Sequence, residues 1–308
     1  MQNVLRIGTR DSQLAVWQAT LVQNLLKEKG IASELVYIKS EGDLDTVTPL
    51  YDLGVQGIFT KTLDAALLNK RIDVAVHSMK DVPTILAKGI QQSSVLKRAS
   101  YKDIFVFKSH ASFLDNQESI ATIATSSIRR IAQWLNRYPN HSIDNLRGNV
   151  NTRLRKVSES NWHGAIFAAA GLERIELRPK NSIDLDWMLP APAQGAIMIV
   201  CREDDQKSFD ACQPFNDHGT ALCTKIERDF LRTLLGGCST PISALATVEN
   251  DKLIFRGNIC SPDGKNKTDI EQEIPLQEAA SCGVRLANQL LTQPSAAKIV
   301  QDIRYAKK

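Results

Sequence analysis

The first 38 residues contain a strand pattern, a helix pattern and a second strand pattern in direct succession. Residues 4–8 form a short strand pattern, and Ser12 follows at a position typical of a helix N-cap. Apolar residues then recur at helical spacing as far as Gly30, and residues 35–38 form another strand pattern. Two strands joined by a helix are expected to pair in parallel, because parallel pairing needs a long crossover connection and a helix supplies it. The sequence therefore predicts an α/β fold in which helices cover parallel strands.

Strand and helix patterns alternate again after residue 104 and continue to a strand pattern at 196–202. A strongly helical segment at 220–235 follows, then three strand patterns and a last helix pattern at 276–291. A chain of 308 residues has room for two or three domains. We expect three α/β units, of which two are doubly wound and one is smaller.

Composition and cysteine spacing exclude several classes of protein. Hydrophobic residues make up 43% of the chain and charged residues 23%, which argues against disorder. The first ten residues lack the regions of a secretory signal, and the least charged stretch, 189–201, is too short to span a bilayer. The six cysteines show no C-x-x-C spacing. We therefore expect reduced thiols, no metal site and a cytoplasmic protein.

Basic residues are concentrated in the segment 121–180, which contains ten basic and four acidic residues. Eight of the ten are arginines, whose planar guanidinium pairs with a carboxylate or phosphate through two hydrogen bonds. Several follow strand patterns, and the carboxyl ends of parallel strands line one crevice. The segment predicts a site for a small polyanion, although a solvated surface charge is the alternative for each arginine taken singly. Few aromatic residues lie among the basic ones, which disfavours a nucleic-acid site.

The segment VHSMKDVP, residues 76–83, places Lys80 and Asp81 just after a strand pattern. A carboxylate there can stabilise a developing cation or move a proton, and an ammonium beside it can hold an anionic substrate. The alternative is a solvated ion pair. Phe59, at the end of a long loop, has two interpretations: stacking on a flat ring or packing in the core.

Cys238 stands in a glycine-rich segment, GGCSTP, after the long helix pattern. A free cysteine is usually a small buried hydrophobic residue. The loop placement nevertheless makes Cys238 the thiol best suited to covalent attachment of a group.

Seven segments of this chain resemble motifs of the hydroxymethylbilane synthase family, also called porphobilinogen deaminases. The resemblance runs in order along nearly the whole chain. The segments are IGTRDSQLA (7–15), VHSMKDVP (76–83), ATSSIRR (124–130), LRGNVNTRL (146–154), AAAGLERI (168–175), LPAPAQGA (189–196) and GGCSTPI (236–242).

The resemblance implies a three-domain α/β fold. The first two domains are expected to be doubly wound, like the lobes of type II periplasmic binding proteins. The third is expected to be a small α+β domain with a three-stranded sheet. Because the LPAPAQGA segment crosses back to the first domain in this family, the implied boundaries are 1–97 plus 195–214, 98–194, and 215–308.

The resemblance also implies a transferase of tetrapyrrole (haem) biosynthesis. Members of the family condense four porphobilinogen molecules head to tail into hydroxymethylbilane and release ammonia at each step. The product grows on a dipyrromethane cofactor held by a thioether bond, which falls on Cys238 here. Porphobilinogen is then the small-molecule partner, and we expect a monomer that binds neither nucleic acid nor membrane.

Site residues are carried over from the family motif by motif. Asp81 matches the catalytic aspartate. The residues that match cofactor-binding positions, besides Cys238, are Lys80, Ser127, Arg129 and Arg130. The residues that match substrate-binding positions are Arg10, Ser12, Phe59, Arg147, Arg153, Arg174 and Gln194.

Four positions depart from the family pattern. Gln56 stands where a lysine is common, so its loop supplies no cation at that position. Ala124, Ala193 and Thr240 replace Gly, Gly and Val, and none of them removes a reactive group. The alternative function is a non-catalytic, two-lobed anion- or effector-binding module. It would explain the arginines but gives no role to Cys238 or to a third domain.

Overall fold

The computed structural model describes residues 4–39, 60–234 and 240–305, which form three β-sheets with helices packed around them. The strands are β1 (Leu5–Thr9), β2 (Ser33–Tyr37), β3 (Val74–Ser78), β4 (Ile90–Val95), β5 (Asp103–Phe107), β6 (Thr122–Ala124), β7 (Ser142–Asp144), β8 (Gly164–Ala168), β9 (Ser182–Asp184), β10 (Ile197–Arg202), β11 (Ile242–Glu249), β12 (Lys252–Cys260) and β13 (Lys267–Pro275). The α-helices are α1 (Gln13–Glu28), α2 (Lys61–Leu68), α3 (Ile128–Arg137), α4 (Val150–Glu159), α5 (Ala169–Glu173), α6 (Gln206–Cys212), α7 (His218–Leu234), α8 (Cys282–Leu291) and α9 (Pro294–Tyr305).

The first sheet has the strand order β2-β1-β3-β10-β4. β1 pairs in parallel with β2 and β3, whereas β10 runs antiparallel to both β3 and β4. Alternate residues of β3 enter two core clusters, because successive side chains of a strand point to opposite faces. Val74 and Val76 pack with α1, and Ala75 packs with α2.

Local sequence signals set the ends of α1. Ser12 Oγ accepts a hydrogen bond from the Ala15 backbone N–H and caps the helix, as expected. After the helix the chain turns at Gly30, whose φ of 72° is in the left-handed region that glycine adopts without strain.

The second sheet repeats the arrangement of the first, with the order β7-β6-β8-β5-β9. β6 pairs in parallel with β7 and β8, and β5 runs antiparallel to β8 and β9. In each sheet the antiparallel strand follows a segment that crosses from the other sheet. Phe105 and Trp134 are fully buried here, with ring centroids 5.3 Å apart.

The third sheet is antiparallel, with the order β11-β12-β13. Helices α7, α8 and α9 pack against it around one apolar core, in which the rings of Phe230 and Phe255 are 5.0 Å apart. The two doubly wound sheets and this α+β unit are the fold class that the sequence predicts, and the fold class is confirmed.

Glu227 of α7 joins the two crossing segments to the third sheet. Its fully buried carboxylate accepts hydrogen bonds from Arg98 Nη1 at 2.6 Å and Nη2 at 3.1 Å. It also accepts from the backbone N–H groups of Ala193 at 2.6 Å and Ala246 at 2.8 Å. One side chain therefore fixes three parts of the chain relative to one another.

Some details differ from the sequence-based expectations. The expectation of parallel strands is wrong for β10 and β5, because these strands come from the crossing segments and enter each sheet from its opposite end. The alternation of apolar residues over 72–76 predicts a strand there, but β3 begins two residues later, at Val74. The helix predicted from residue 276 begins as a six-residue 3₁₀ helix, Leu276–Ser281. Residues 41–57 have no clear periodicity and predict a long loop, but they lie outside the described residues.

Candidate active site

The turn after β3 carries two of the predicted site residues. β3 ends at Ser78, and Met79–Asp81 form one turn of 3₁₀ helix. Ser78 Oγ accepts a hydrogen bond from Gln18 Nε2 at 2.9 Å, which ties this turn to α1. Asp81 is partly buried, and its charge acts on both Lys80 and Arg153. The turn therefore presents a carboxylate whose charge acts on two cations.

Lys80 reaches across to the second crossing segment. Its Nζ donates a hydrogen bond to Gln194 Oε1 at 3.3 Å. Burial lowers the pKa of Lys80 to about 8, while the negative charge of Asp81 acts in the opposite direction. Lys80 is thus mostly protonated at neutral pH and loses its charge in mildly alkaline solution.

Asp103, the first residue of β5, is fully buried and pairs with the two arginines that follow β6. It accepts hydrogen bonds from Arg129 Nη2 at 2.7 Å, from Arg130 Nη2 at 2.7 Å and Nε at 3.1 Å, and from Gln194 Nε2 at 2.9 Å. Burial acts to raise the pKa of Asp103, but the charges of Arg129 and Arg130 outweigh it and hold the pKa well below its ordinary value. Asp103 is therefore ionised, and Gln194 connects it to Lys80.

Arg129 and Arg130 keep donors beyond those that Asp103 takes. Arg129 Nη1 donates to the Leu189 carbonyl oxygen at 2.7 Å, and its buried Nε has no hydrogen-bond partner among the described residues. Both arginines lie in the first turn of α3, and Ser127 occupies the N-cap position of that helix. Free backbone N–H groups and the helix dipole favour an anion at such a position.

Two further arginines approach the same cluster from α4 and the residues before it. Arg153 Nε donates to the Gly148 carbonyl oxygen at 2.7 Å. Burial, together with the charges of Arg130 and Arg147, lowers the pKa of Arg153 to about 10. Arg147 is itself buried. Arg153 therefore lies close enough to Arg130 and Arg147 to be repelled by both, which a bound anion would relieve.

Three further predicted residues, Arg174, Arg10 and Ser12, have identified partners of their own. Arg174 Nη2 donates to the Gly195 carbonyl oxygen at 2.7 Å, and its guanidinium carbon is 5.7 Å from the centre of the Trp17 ring. The charge of Arg10 acts on the buried His77 of β3, which places Arg10 near the end of that strand. Ser12 caps α1, as described above, so its hydroxyl already has one structural role.

Phe59, Cys238 and Gln56 lie outside the described residues. Within the described ranges, no group of three or more His, Cys, Asp or Glu residues could hold a metal ion. None of the helices in those ranges combines the length and the apolar character that crossing a bilayer requires.

Asp103 is not among the site residues predicted from the sequence. A signal was present, because Asp103 opens an otherwise apolar strand, DIFVF, and an acid in a buried strand needs a cationic partner. The chemical consequence is a buried cluster of cations with a fixed, partial counter-charge. Such a cluster is suited to polyanionic molecules, and Asp81, whose charge acts on Arg153, is an acidic group able to stabilise a developing cation.

Two family models match the chain in succession. The model described as "Porphobilinogen deaminase, dipyromethane cofactor binding domain" matches residues 5–210, and "Porphobilinogen deaminase, C-terminal domain" matches residues 221–292. A porphobilinogen deaminase of Acidithiobacillus ferrooxidans is 39% identical over 312 residues, covering 99% of this chain and all of that protein. One from Syntrophotalea carbinolica is 41% identical over 295 residues, covering 94% of this chain and 93% of that protein.

Solved structures of solute-binding proteins resemble the chain more distantly. The ancestral cationic amino acid solute binding protein AncCDT-1 is 17% identical, with a TM-score of 0.43 over 69% of this chain and 87% of that one. The methionine binding protein MetQ is 14% identical, with a TM-score of 0.44 over 70% of this chain and 90% of that one.

Proposed function

This chain belongs to the porphobilinogen deaminase family, and on that basis we propose that the Asp81 carboxylate acts on porphobilinogen while the surrounding cations bind carboxylate groups of the cofactor and substrate. The activity is that of a porphobilinogen deaminase of tetrapyrrole biosynthesis, and the cofactor is dipyrromethane. The observation that carries the assignment of roles is the placement of Asp81 beside Lys80 and Arg153, whose charges interact with it.

The described residues suit a dipyrromethane, whose pyrrole rings carry acetate and propionate groups. The buried Nε of Arg129 has a hydrogen to donate, and Arg153 is repelled by Arg130 and Arg147, which a bound anion would relieve. Lys80, Ser127, Arg129 and Arg130 would hold the cofactor. When bound, the cofactor supplies a covalent primer with a nucleophilic pyrrole carbon.

Asp81 acts on porphobilinogen in this proposal. Its carboxylate accepts a hydrogen bond from the pyrrole N–H and stabilises the positive charge that develops as ammonia leaves. The same carboxylate takes up the proton that the coupled pyrrole carbon releases. Lys80 is the residue before Asp81. Its ammonium donates to Gln194, and this hydrogen bond orients it.

Arg10, Ser12, Arg147, Arg153, Arg174 and Gln194 bind substrate carboxylates in this proposal. The growing product gains two carboxylates with each porphobilinogen, so its negative charge increases at every step. A cluster with an excess of cations accommodates this increase, and Asp103 holds its arginines in place. Phe59 stacks on a pyrrole ring, and Cys238, four residues after α7, carries the cofactor through its sulfur.

The proposed domains are 1–97 plus 195–214, 98–194, and 215–308. The entry of β10 into the first sheet supports the discontinuous first domain. We further propose a cytoplasmic monomer. The five described cysteines are buried and free of disulfide bonds, which favours a reducing compartment.

The test combines intact mass measurement, peptide mapping and turnover of porphobilinogen. Wild-type protein is expected to carry two linked pyrrole units on Cys238, and Cys238→Ala to carry none. Asp81→Ala should keep the adduct but lose turnover by about 10²–10⁴-fold, because the cation-stabilising carboxylate is gone. Asp115→Ala, which removes an exposed aspartate of the second unit, is the matched control and should leave both readouts unchanged.

Two results would overturn the assignment. An adduct that survives Cys238→Ala would place the attachment elsewhere. Turnover by Asp81→Ala at the rate of Asp115→Ala would remove Asp81 from the chemistry.

A further inference from the structure

Arg228 of α7 reaches into the turn that carries Asp81. Its Nη1 donates to the Val82 carbonyl oxygen at 2.9 Å and to the Met79 carbonyl oxygen at 3.3 Å, and its Nη2 donates to the Pro83 carbonyl oxygen at 2.6 Å. Arg228 lies about 146 residues from this turn along the chain and is only 9% exposed. The three acceptors bracket Asp81 on both sides.

The sequence neighbours of Arg228 have different partners. Glu227 accepts from Arg98 and from two backbone N–H groups, so it joins the crossing segments. Asp229 pairs with Lys225 at 2.6 Å and with Arg232 at 2.9 Å along the surface of α7. Arg228 is therefore the residue through which this part of α7 holds the Asp81 turn.

A buried guanidinium is an effective clamp for a turn of this kind. Its planar group offers several donors in fixed directions, and the carbonyl groups at the end of a short helix carry partial negative charge. The turn is only three residues long, with the Val82 N–H bonded to the Met79 carbonyl oxygen at 3.2 Å. A 3₁₀ turn this short has few hydrogen bonds of its own, so contacts from other elements, including the three from Arg228, fix where Asp81 stands.

We infer that Arg228 is a positioning residue that sets the Asp81 carboxylate relative to the substrate. This inference rests on the proposed role of Asp81. It also gives α7 a second role, because the helix that precedes the proposed attachment cysteine then orients the carboxylate. The expected consequence is that Arg228 affects the rate of the chemical step and not the capture of porphobilinogen.

The experiment compares purified holoenzymes whose covalent cofactor content has been matched by intact mass. Arg228→Met should lower kcat by about 10²-fold, since a displacement of about 1 Å has such an effect. It should leave KM within about threefold, because the lost interaction matters only in the transition state. Arg228→Lys should recover part of the rate, because an ammonium donates to at least one of the three carbonyl groups. Arg232→Met, on the same helix and exposed, is the control and should match wild type.

A double-mutant cycle separates positioning from general stabilisation. In Asp81→Glu the carboxylate is already displaced by one methylene, so adding Arg228→Met should lower its residual rate by less than about threefold. A 10²-fold loss in both backgrounds would indicate a role independent of Asp81 and would overturn the inference. Wild-type kcat in Arg228→Met would do the same. A wild-type protein without adduct or turnover would instead refute the proposed function, so the two failures are distinguishable.

Discussion

Replacement of Asp103 by asparagine should destabilise the second unit far more than an ordinary surface change. The carboxylate is fully buried and accepts four hydrogen bonds, three of them from Arg129 and Arg130. The neutral amide of the Asp103→Asn variant would leave two buried guanidinium groups without a counter-charge. Breaking a buried ion pair in this way costs about 3–5 kcal/mol of unfolding free energy.

This loss of unfolding free energy can be measured by thermal unfolding followed by circular dichroism. With about 2–4 °C of Tm for each kcal/mol, we expect Tm to fall by about 6–20 °C at pH 7. The matched control, Asp115→Asn, removes an exposed carboxylate and should shift Tm by less than about 2 °C.

The pH dependence gives an independent check. The pKa of Asp103 is depressed in the folded protein, so its stabilisation is fully present above the ordinary aspartate pKa and is lost as the pH falls toward the folded value. The stability difference between wild type and Asp103→Asn should therefore shrink below about pH 4. Equal Tm values for Asp103→Asn and Asp115→Asn at pH 7 would refute the argument that Asp103 neutralises the arginines.

Two other outcomes follow from the structure. Because burial lowers the pKa of Lys80 to about 8, loading of cofactor-free protein with hydroxymethylbilane, followed by intact mass, should slow as the pH increases through 8, and Lys80→Arg should flatten that decline. An identical pH profile for both proteins would exclude Lys80 from binding the cofactor carboxylates. Gly195→Ala should lower the unfolding free energy by at least about 1–3 kcal/mol, because φ is +87° and a Cβ would meet the Ser100 carbonyl oxygen at 2.5 Å. Gly30→Ala is the control for backbone strain alone, because φ is +72° there and nothing lies within 4 Å of the added Cβ. An equal loss of unfolding free energy in both variants would show that the contact with Ser100 has no effect.

The features predicted well from the sequence are those that depend on neighbouring residues. Ser12 and Gly30 mark the ends of α1 because capping and left-handed turns are local requirements. The antiparallel entry of β10 was not predicted, because its register with β3 joins residues more than 110 positions apart. Periodicity reports which residues are buried but not the direction in which a distant strand enters a sheet.

The same distinction applies to the candidate site. Asp81 and the arginines stand out as residue types at strand ends, and the resemblance to a family assigned their roles. Asp103 and Arg228 were missed, since their importance comes from partners that only the folded chain brings together. The roles of Phe59 and Cys238 stay predictions, because both residues lie outside the described ranges.

The position of β10 between β3 and β4 affects the order in which the sheets can be completed while the chain is being synthesised. Among the described strands, β4 has no pairing partner in the first sheet except β10, which is translated about 100 residues later. All the strands of the second sheet lie between residues 103 and 184, so they leave the exit tunnel before β10 does. During synthesis the second sheet is therefore the first to have a full set of strands. Until β10 is synthesised, β3 lacks this neighbour in the first sheet, and the pairing of β10 with β3 and β4 completes that sheet.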